Sequence, residues 1–217
     1  MIIFEYLIQF VCIFIAIILH EMSHAYMSHF LGDPTPKETG RLSPNPLKHI
    51  DPIGFFCMLL FGVGWAKPVM INSEYYKNRK LGMFLVAFAG PLMNFILAIV
   101  GTLVLTLIFK FNVSFLTNDI CIYAFQTFIV LNIGLGVFNL IPIPPLDGSR
   151  LVGSMLTANA YNGYMRIQRY GFIIIVAVLS LDRLAAGITG NPTLFSTIIN
   201  FIYDLLITGA FKVFGLI

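Results

Sequence analysis

The sequence predicts an all-α polytopic membrane protein with about five transmembrane helices and a re-entrant region. Two observations carry this prediction: 58% of the 217 residues are hydrophobic, and only 11% are charged. A soluble domain usually carries about 25% charged residues, so this chain has too little charge to coat a water-facing surface. The composition therefore excludes a disordered chain, a coiled coil and an ordinary cytosolic fold.

The predicted helices are five apolar segments: 2–31, 81–109, 120–141, 170–184 and 192–214. Most of them reach the roughly 20 residues that a helix needs to cross a bilayer, and the fourth is the shortest. A sixth apolar run, 52–65, is only 14 residues long. That length suits a re-entrant element better than a span. Without an internal repeat, we expect a single membrane-embedded domain over 1–217, with a catalytic core at about 1–150 and accessory helices at about 151–217.

The distribution of Lys and Arg predicts how the helices are oriented. If the short run does not cross the bilayer, eleven of the 13 Lys and Arg residues share one side, leaving Lys110 and Arg183 on the other. Such an excess of Lys and Arg marks the cytoplasmic side of a membrane. We therefore expect the N-terminus on the outer side of the cell membrane. If the run crossed, the split would be five against eight. The net charge of +3 is too small and too scattered to indicate a nucleic-acid partner.

Three ionisable residues lie near the cytoplasmic end of the first predicted helix, in His20-Glu21-Met22-Ser23-His24. Residues four apart share a helix face, so His20 and His24 can bind one metal ion, with Glu21 beside them to take a proton from water. Ionisable groups inside a membrane helix are costly and are usually functional. A polar cluster that faces other helices, or a non-catalytic metal site, would show the same pattern.

A catalytic zinc ion needs a third protein ligand, and the best candidate is Asp147. His29, five residues beyond His24, points away from the face that the histidine pair shares. Pro142, Pro144 and Pro145 break the third predicted helix just before Asp147. They leave this carboxylate on irregular backbone at membrane depth, which is tolerated only where it is buried or lines a polar cavity. If the run 52–65 does not cross, His20, His24 and Asp147 lie at the same side of the membrane and can meet.

The sequence resembles the site-2 protease family of intramembrane zinc metalloproteases, and looks most like its compact members that lack PDZ and CBS domains. The resemblance rests on five segments in this order: residues 20–24, 40–52, 64–69, 89–94 and 139–150. It implies that His20, His24 and Asp147 hold one Zn²⁺ and that Glu21 is the catalytic acid and base. Asn139 matches a family asparagine that contacts substrate or the oxyanion, and Asn94 is a second candidate near the substrate. Residues 62–71 resemble the family's membrane-associated strand region, which could pair with an extended substrate.

The sequence thus predicts an intramembrane zinc endopeptidase that cleaves transmembrane segments of other proteins in the lipid bilayer. We expect its regulation to come from separate membrane proteins or from the substrate, and the sequence leaves its oligomeric state open. Two alternatives remain. A metal transporter would use the same ligands and would keep its function in Glu21→Gln. A pseudoprotease would bind membrane helices without cutting them.

Overall fold

The predicted all-α membrane class is confirmed by the structure, a computed structural model that describes residues 2–49, 51–54 and 67–216. Within these residues, five helical stretches are long and apolar enough to cross a membrane: Ile3–Phe30, Arg79–Lys110, Asp119–Asn139, Asn159–Thr189 and Leu194–Phe214. The fourth stretch is longer than the apolar segment 170–184 that predicts it. Its last helix continues to Thr189 and ends where Gly190 adopts a left-handed conformation, with φ 70°.

The described helices, in chain order, are α1 Ile2–Phe30, α2 Thr35–Glu38, α3 Arg79–Lys110, α4 Asp119–Asn139, α5 Asp147–Met155, α6 Ala158–Met165, α7 Gly171–Thr189 and α8 Leu194–Phe214. Two of the long helices begin at asparagine caps. The side chain of Asn78 accepts a hydrogen bond from the Leu81 N–H, and that of Asn118 accepts one from the Cys121 N–H. Each cap satisfies an N–H group that the first helical turn leaves without a partner.

Helices α1, α3 and α4 form the packed centre of the protein. Along α3, Val86 contacts His24 and Asn94 contacts Ala16, so α3 runs antiparallel to α1. Early in α4, Tyr123 contacts Gln9 near the start of α1. The C-terminal ends of α1 and α4 and the N-terminal end of α3 therefore lie at one end of the bundle, which we call the site end.

Small residues let these helices approach closely. A methyl group on Gly101 would lie 3.1 Å from the Cγ1 atom of Ile129, and one on Gly136 would lie 3.0 Å from the Cζ atom of Phe95. Close contact of this kind drives helix association in a bilayer, where lipid is as apolar as the side chains. The buried apolar core beside these contacts consists of Ala98, Leu105, Ile129 and Ile133.

Between α1 and α3, residues on either side of the run 50–66 lie next to each other. The Lys67 N–H donates to the His49 carbonyl at 2.9 Å, and the buried Arg41 guanidinium donates to the carbonyls of Lys48 and Pro68. Residues 49 and 67 are therefore neighbours. The predicted re-entrant run 52–65 lies largely outside the described residues, as does the start of the predicted strand region 62–71. Residues 67–72 are irregular, and no β-strand occurs in the part of the chain that the structure describes.

Asp33 fixes this segment to the end of α1. Its carboxylate is fully buried and accepts hydrogen bonds from the Ser28 hydroxyl at 2.7 Å, the Thr35 N–H at 2.9 Å and the Asn72 N–H at 2.7 Å. Burial disfavours the charged carboxylate, but these hydrogen bonds outweigh that cost and hold the pKa of Asp33 below its usual value. Asp33 thus connects α1 to the residues that precede α3.

Candidate active site

Three side chains from two distant parts of the chain converge at the site end of the bundle. The Oδ2 atom of Asp147 lies 3.0 Å from His20 Nε2 and 3.2 Å from His24 Nε2, and the two Nε2 atoms are 3.1 Å apart. Both histidines are buried on one face of α1, as their spacing predicts. Asp147 begins α5, so the carboxylate that was expected on irregular backbone instead occupies a helical first turn.

Hydrogen bonds behind the imidazole rings orient both histidines. His20 Nδ1 lies 2.6 Å from Asn94 Oδ1, and His24 Nδ1 lies 2.7 Å from the Val86 carbonyl oxygen. Both partner atoms are acceptors, so each Nδ1 carries the proton and donates. In the neutral imidazole this tautomer leaves a lone pair on each Nε2 atom, and both Nε2 atoms lie within 3.2 Å of the Asp147 carboxylate. Metal-bound histidines in proteins are held by the same arrangement.

The donor set fits a zinc ion. Two imidazole Nε2 atoms and one carboxylate oxygen lie within 4.8 Å of one another, and with Nδ1 carrying the only ring proton all three offer lone pairs that one cation could accept. Ligands of a tetrahedral zinc ion at about 2.0–2.1 Å are spaced roughly 3.3 Å apart, close to the separations observed here. Two histidines and one carboxylate leave the fourth position for water or substrate, which is the pattern of catalytic rather than structural zinc.

Two glycines make this convergence possible. A methyl group on Gly90 of α3 would overlap both imidazole rings, so only glycine lets α3 pass this close to the histidine pair. A methyl group on Gly148 would overlap the carbonyl oxygens of Leu140 and Ile141. Gly148 therefore allows the start of α5 to press against the end of α4, which sets the position of the adjacent Asp147.

A cavity of about 160 Å³ opens in front of the three side chains. Glu21, which is half-buried, lines it together with the histidine pair and Asp147. Asn139 also lines the cavity, and its amide Nδ2 donates to the Leu135 carbonyl at 3.1 Å. Pro68, Val69 and Ile71, which belong to the described part of the predicted strand region, also line the cavity. Five of the six predicted site residues therefore line this one cavity. The sixth, Asn94, does not.

Asn94 lies behind His20 rather than in the cavity. Its side chain is fully buried, and its Nδ2 donates to Asn132 Oδ1 at 3.1 Å. Asn132 is also fully buried and donates to the Phe128 carbonyl at 2.8 Å, so a chain of amides leads from α4 through α3 to His20. Sequence analysis missed Asn132. A polar amide in the middle of an apolar span was the available signal, because such groups need partners inside the bundle.

Fold and site together define a polytopic membrane protein with a buried site of two histidines and a carboxylate, the ligand set of zinc hydrolases. Comparison with known families is consistent with this class. The model of Peptidase family M50 matches residues 8–181, and the chain belongs to that family. The family resemblance noted in the sequence is thereby confirmed.

Curated relatives carry corresponding names. "Putative zinc metalloprotease YwhC" of Bacillus subtilis is 35% identical over 77% of this chain and 78% of its own length. "Putative zinc metalloprotease Rip2" of Mycolicibacterium smegmatis is 29% identical over 74% of this chain and 62% of its own length. "Zinc metalloprotease MJ0392" of Methanocaldococcus jannaschii is 28% identical over 73% of this chain, but the match covers only 37% of that protein. No solved structure matches the chain. The relatives and the family support a zinc metalloprotease, and zinc is the expected cofactor.

Proposed function

We propose that this protein is an intramembrane endopeptidase, which hydrolyses peptide bonds within or near the transmembrane segments of other membrane proteins. One observation carries the proposal. The convergent histidines and carboxylate, with Glu21 beside them, lie in one cavity among helices that are long enough to span a bilayer. A protease site among membrane-spanning helices can reach peptide bonds in transmembrane segments, which soluble proteases cannot reach.

His20, His24 and Asp147 hold one zinc ion per chain in this proposal. When bound, zinc supplies Lewis acidity, which makes water nucleophilic at neutral pH and polarises a carbonyl group. Asn94 and the Val86 carbonyl keep both imidazoles in the tautomer that directs Nε2 at the ion. The chain thereby fixes its ligands before substrate arrives.

Glu21 acts as the general base and then as the general acid. Its carboxylate takes a proton from the attacking water molecule as the oxygen bonds to the scissile carbonyl carbon. It then gives that proton to the nitrogen of the leaving amine as the C–N bond breaks. The half-buried position of Glu21 in the cavity wall suits this transfer, because the carboxylate faces the space that a substrate carbonyl would fill.

A transmembrane substrate must lose its helical hydrogen bonds before its carbonyl groups can react. Pro68, Val69 and Ile71 border the cavity in irregular backbone, so an unwound substrate could pair with this segment as an added strand. Asn139 lines the same cavity and would contact the substrate or the oxyanion that forms.

The site end of the bundle is the cytoplasmic end in this proposal. Eleven of the 13 Lys and Arg residues fall on that side under the proposed topology. The enzyme is then a multi-pass protein of the cell membrane with its N-terminus outside. Residues 1–150 hold the predicted site residues, and residues 151–217 act as accessory helices.

The deciding experiment compares wild type with Glu21→Gln in liposomes that contain a transmembrane test substrate. We expect about one zinc ion per chain in both proteins and cleavage only by the wild type, because glutamine keeps the shape of the side chain but cannot accept the proton. Zinc is measured by mass spectrometry of the purified chains, and cleavage is measured by gel mobility. Cutting by Glu21→Gln at the wild-type rate would refute the assigned mechanism.

The same experiment separates the two alternatives. A metal transporter predicts that zinc crosses the liposome membrane with Glu21→Gln as well as with wild type. A pseudoprotease predicts that both proteins bind the test substrate and that neither cuts it. Neither outcome is compatible with an endopeptidase that depends on Glu21.

A further inference from the structure

A second cavity lies beside the one lined by His20, His24 and Asp147, which we call the catalytic cavity. Three cationic side chains line this second cavity. It measures about 290 Å³ and is bordered by Arg79 and Lys80 from the first turn of α3 and by Arg150 from α5. The remaining wall is polar or apolar, and includes Ser73 and Tyr161. No acidic side chain is among the described residues that border it. We call this space the basic cavity.

The protein leaves the charges of the basic cavity uncompensated. Arg79 Nε donates to the Ser73 hydroxyl at 3.0 Å, and Lys80 Nζ donates to the Leu156 carbonyl at 3.0 Å. Both partners are neutral, so they hold the side chains against the wall without cancelling their charge. Within the described residues, no Lys or Arg forms an ion pair with a carboxylate. Two cations in the first turn of α3 also oppose its helix dipole, so helix stability does not explain them.

Arg150 connects the basic cavity to the catalytic cavity, because it lines both. It lies three residues after Asp147, on nearly the same face of α5. Gly153 and Ser154, one turn further along, border the basic cavity. From Asp147 to Ser154 the helix rises about 10 Å, at 1.5 Å per residue. An extended chain covers that distance in about three residues, at roughly 3.3 Å each.

We propose that the basic cavity is a specificity subsite, which binds an acidic side chain of the substrate about three residues from the cleaved bond. This inference rests on the proposed protease function. The acidic residue lies on the flank of the substrate that leaves through the site end of the bundle. Transmembrane segments commonly carry Lys or Arg on their cytoplasmic flank. The basic cavity repels such flanks and attracts an acidic one, so it distinguishes substrates by charge.

The test uses one transmembrane substrate whose cleaved bond has been located by mass spectrometry. Glu, Gln and Lys are placed singly at each of the first six positions on the cytoplasmic flank of that bond. In liposomes of zwitterionic lipid, we expect kcat/KM to be roughly five- to tenfold higher for Glu than for Lys, with the maximum near the third position. Equal rates for Glu, Gln and Lys at every position would overturn the proposal.

A charge reversal in the enzyme provides the second arm. Lys80→Glu should lose most of the preference for Glu at that substrate position, because the cavity then holds one anionic and two cationic side chains in place of three cationic ones. Lys77→Glu is the matched control, because it makes the same change at the same end of the protein but does not border the basic cavity. It should keep the wild-type preference. If both variants change the preference equally, general surface charge is responsible and the subsite does not exist.

An anionic lipid headgroup is the competing ligand, and the third arm excludes or identifies it. The substrate series is repeated in liposomes that contain phosphatidylglycerol. A lipid site predicts that activity rises for all substrates alike, that the rise is absent in Lys80→Glu, and that substrate charge has no effect in zwitterionic lipid. That result would overturn the subsite. If wild type cuts no substrate in any liposome, the proposed protease function fails, which differs from cleavage without a charge preference.

Discussion

Helices α1, α3 and α4, which carry or flank the candidate active site and are here called the catalytic helices, and the C-terminal helices α7 and α8 are all apolar enough to span a membrane. They are held in different ways. In the most apolar stretch of α3, 39% of the residues are buried inside the protein, whereas none are buried in that of α8. The catalytic helices bury polar groups that bond to one another across helices, such as Asn94 with Asn132. Helix α8 contacts the core through partly buried apolar and aromatic side chains, among them Ile199 and Leu206, and through Tyr203, whose side chain hydrogen-bonds to that of Gln126 in α4.

The connection between α7 and α8 is local. Asp182 of α7 accepts hydrogen bonds from the N–H groups of Leu194 and Phe195 at the start of α8, at 2.8 and 3.2 Å. Within the described residues, this carboxylate is the polar link that joins the two helices. This difference shows which interactions determine how the helices of a membrane protein are arranged. Apolar contact gains little in lipid, so glycine contacts and buried hydrogen bonds fix the geometry of the catalytic helices.

The largest effect that would test this comparison comes from a single methyl group at Gly90. We expect Gly90→Ala to lose its zinc and to cut substrate at least about 100-fold more slowly, because the methyl would overlap both imidazole rings. Zinc per chain and initial cleavage rates are the measurements. Gly187→Ala in α7 is the matched control, since a methyl there meets nothing within 4 Å. A Gly90→Ala protein that keeps one zinc and full activity would show that α3 is not so tightly placed.

A smaller effect is expected from the amide that orients His20. Asn94→Leu removes the acceptor of the Nδ1 proton and should weaken zinc binding about 10- to 100-fold. Asn94→Asp should retain more of the affinity than Asn94→Leu, because a carboxylate oxygen can accept the hydrogen bond from His20 although it cannot donate to Asn132. Affinity is measured by competition with a chelator. Thr102→Val, which removes a buried hydroxyl bonded only within α3, is the control and should bind zinc as wild type does.

The pair Asn94→Leu and Asn94→Asp distinguishes orientation from packing. If Asn94 only fills space, the two substitutions should weaken zinc binding to a similar extent. A much larger loss for Leu than for Asp is the outcome that an oriented His20 requires.

The smallest effect is expected in the C-terminal helices. Asp182→Ala removes the acceptor for two N–H groups at the start of α8 and should destabilise that region by about 1 kcal/mol, as the loss of a helix cap does. Zinc content should not change, and cleavage rates should stay within about twofold of wild type. Thermal unfolding in detergent and the cleavage assay measure both quantities. A tenfold loss of activity would contradict the division between catalytic core and accessory helices.

Sequence reasoning succeeded where the physical constraint is local. The five spans could be predicted because a bilayer demands about 20 apolar residues in a row, whichever helices lie next to them. The shared face of His20 and His24 follows from helical spacing alone. Asp147 could be identified from the sequence because prolines mark the break in the helix before it. The helical backbone at Asp147 itself was not predicted. Cleavage within the membrane and the metal roles of these residues remain predictions.

Other features depend on contacts between distant segments. Asn94 was expected near the substrate, yet it lies behind His20, and the part played by Asn132 became visible only through its bond to Asn94. The basic cavity likewise brings Arg79 together with Arg150, which lie 71 residues apart in the chain. The sequence by itself determined which segments are long and apolar enough to span a membrane, and it predicted which residues would carry the chemistry. Only the tertiary structure decided which side chains face one another, because that depends on how each helix is rotated about its axis by packing.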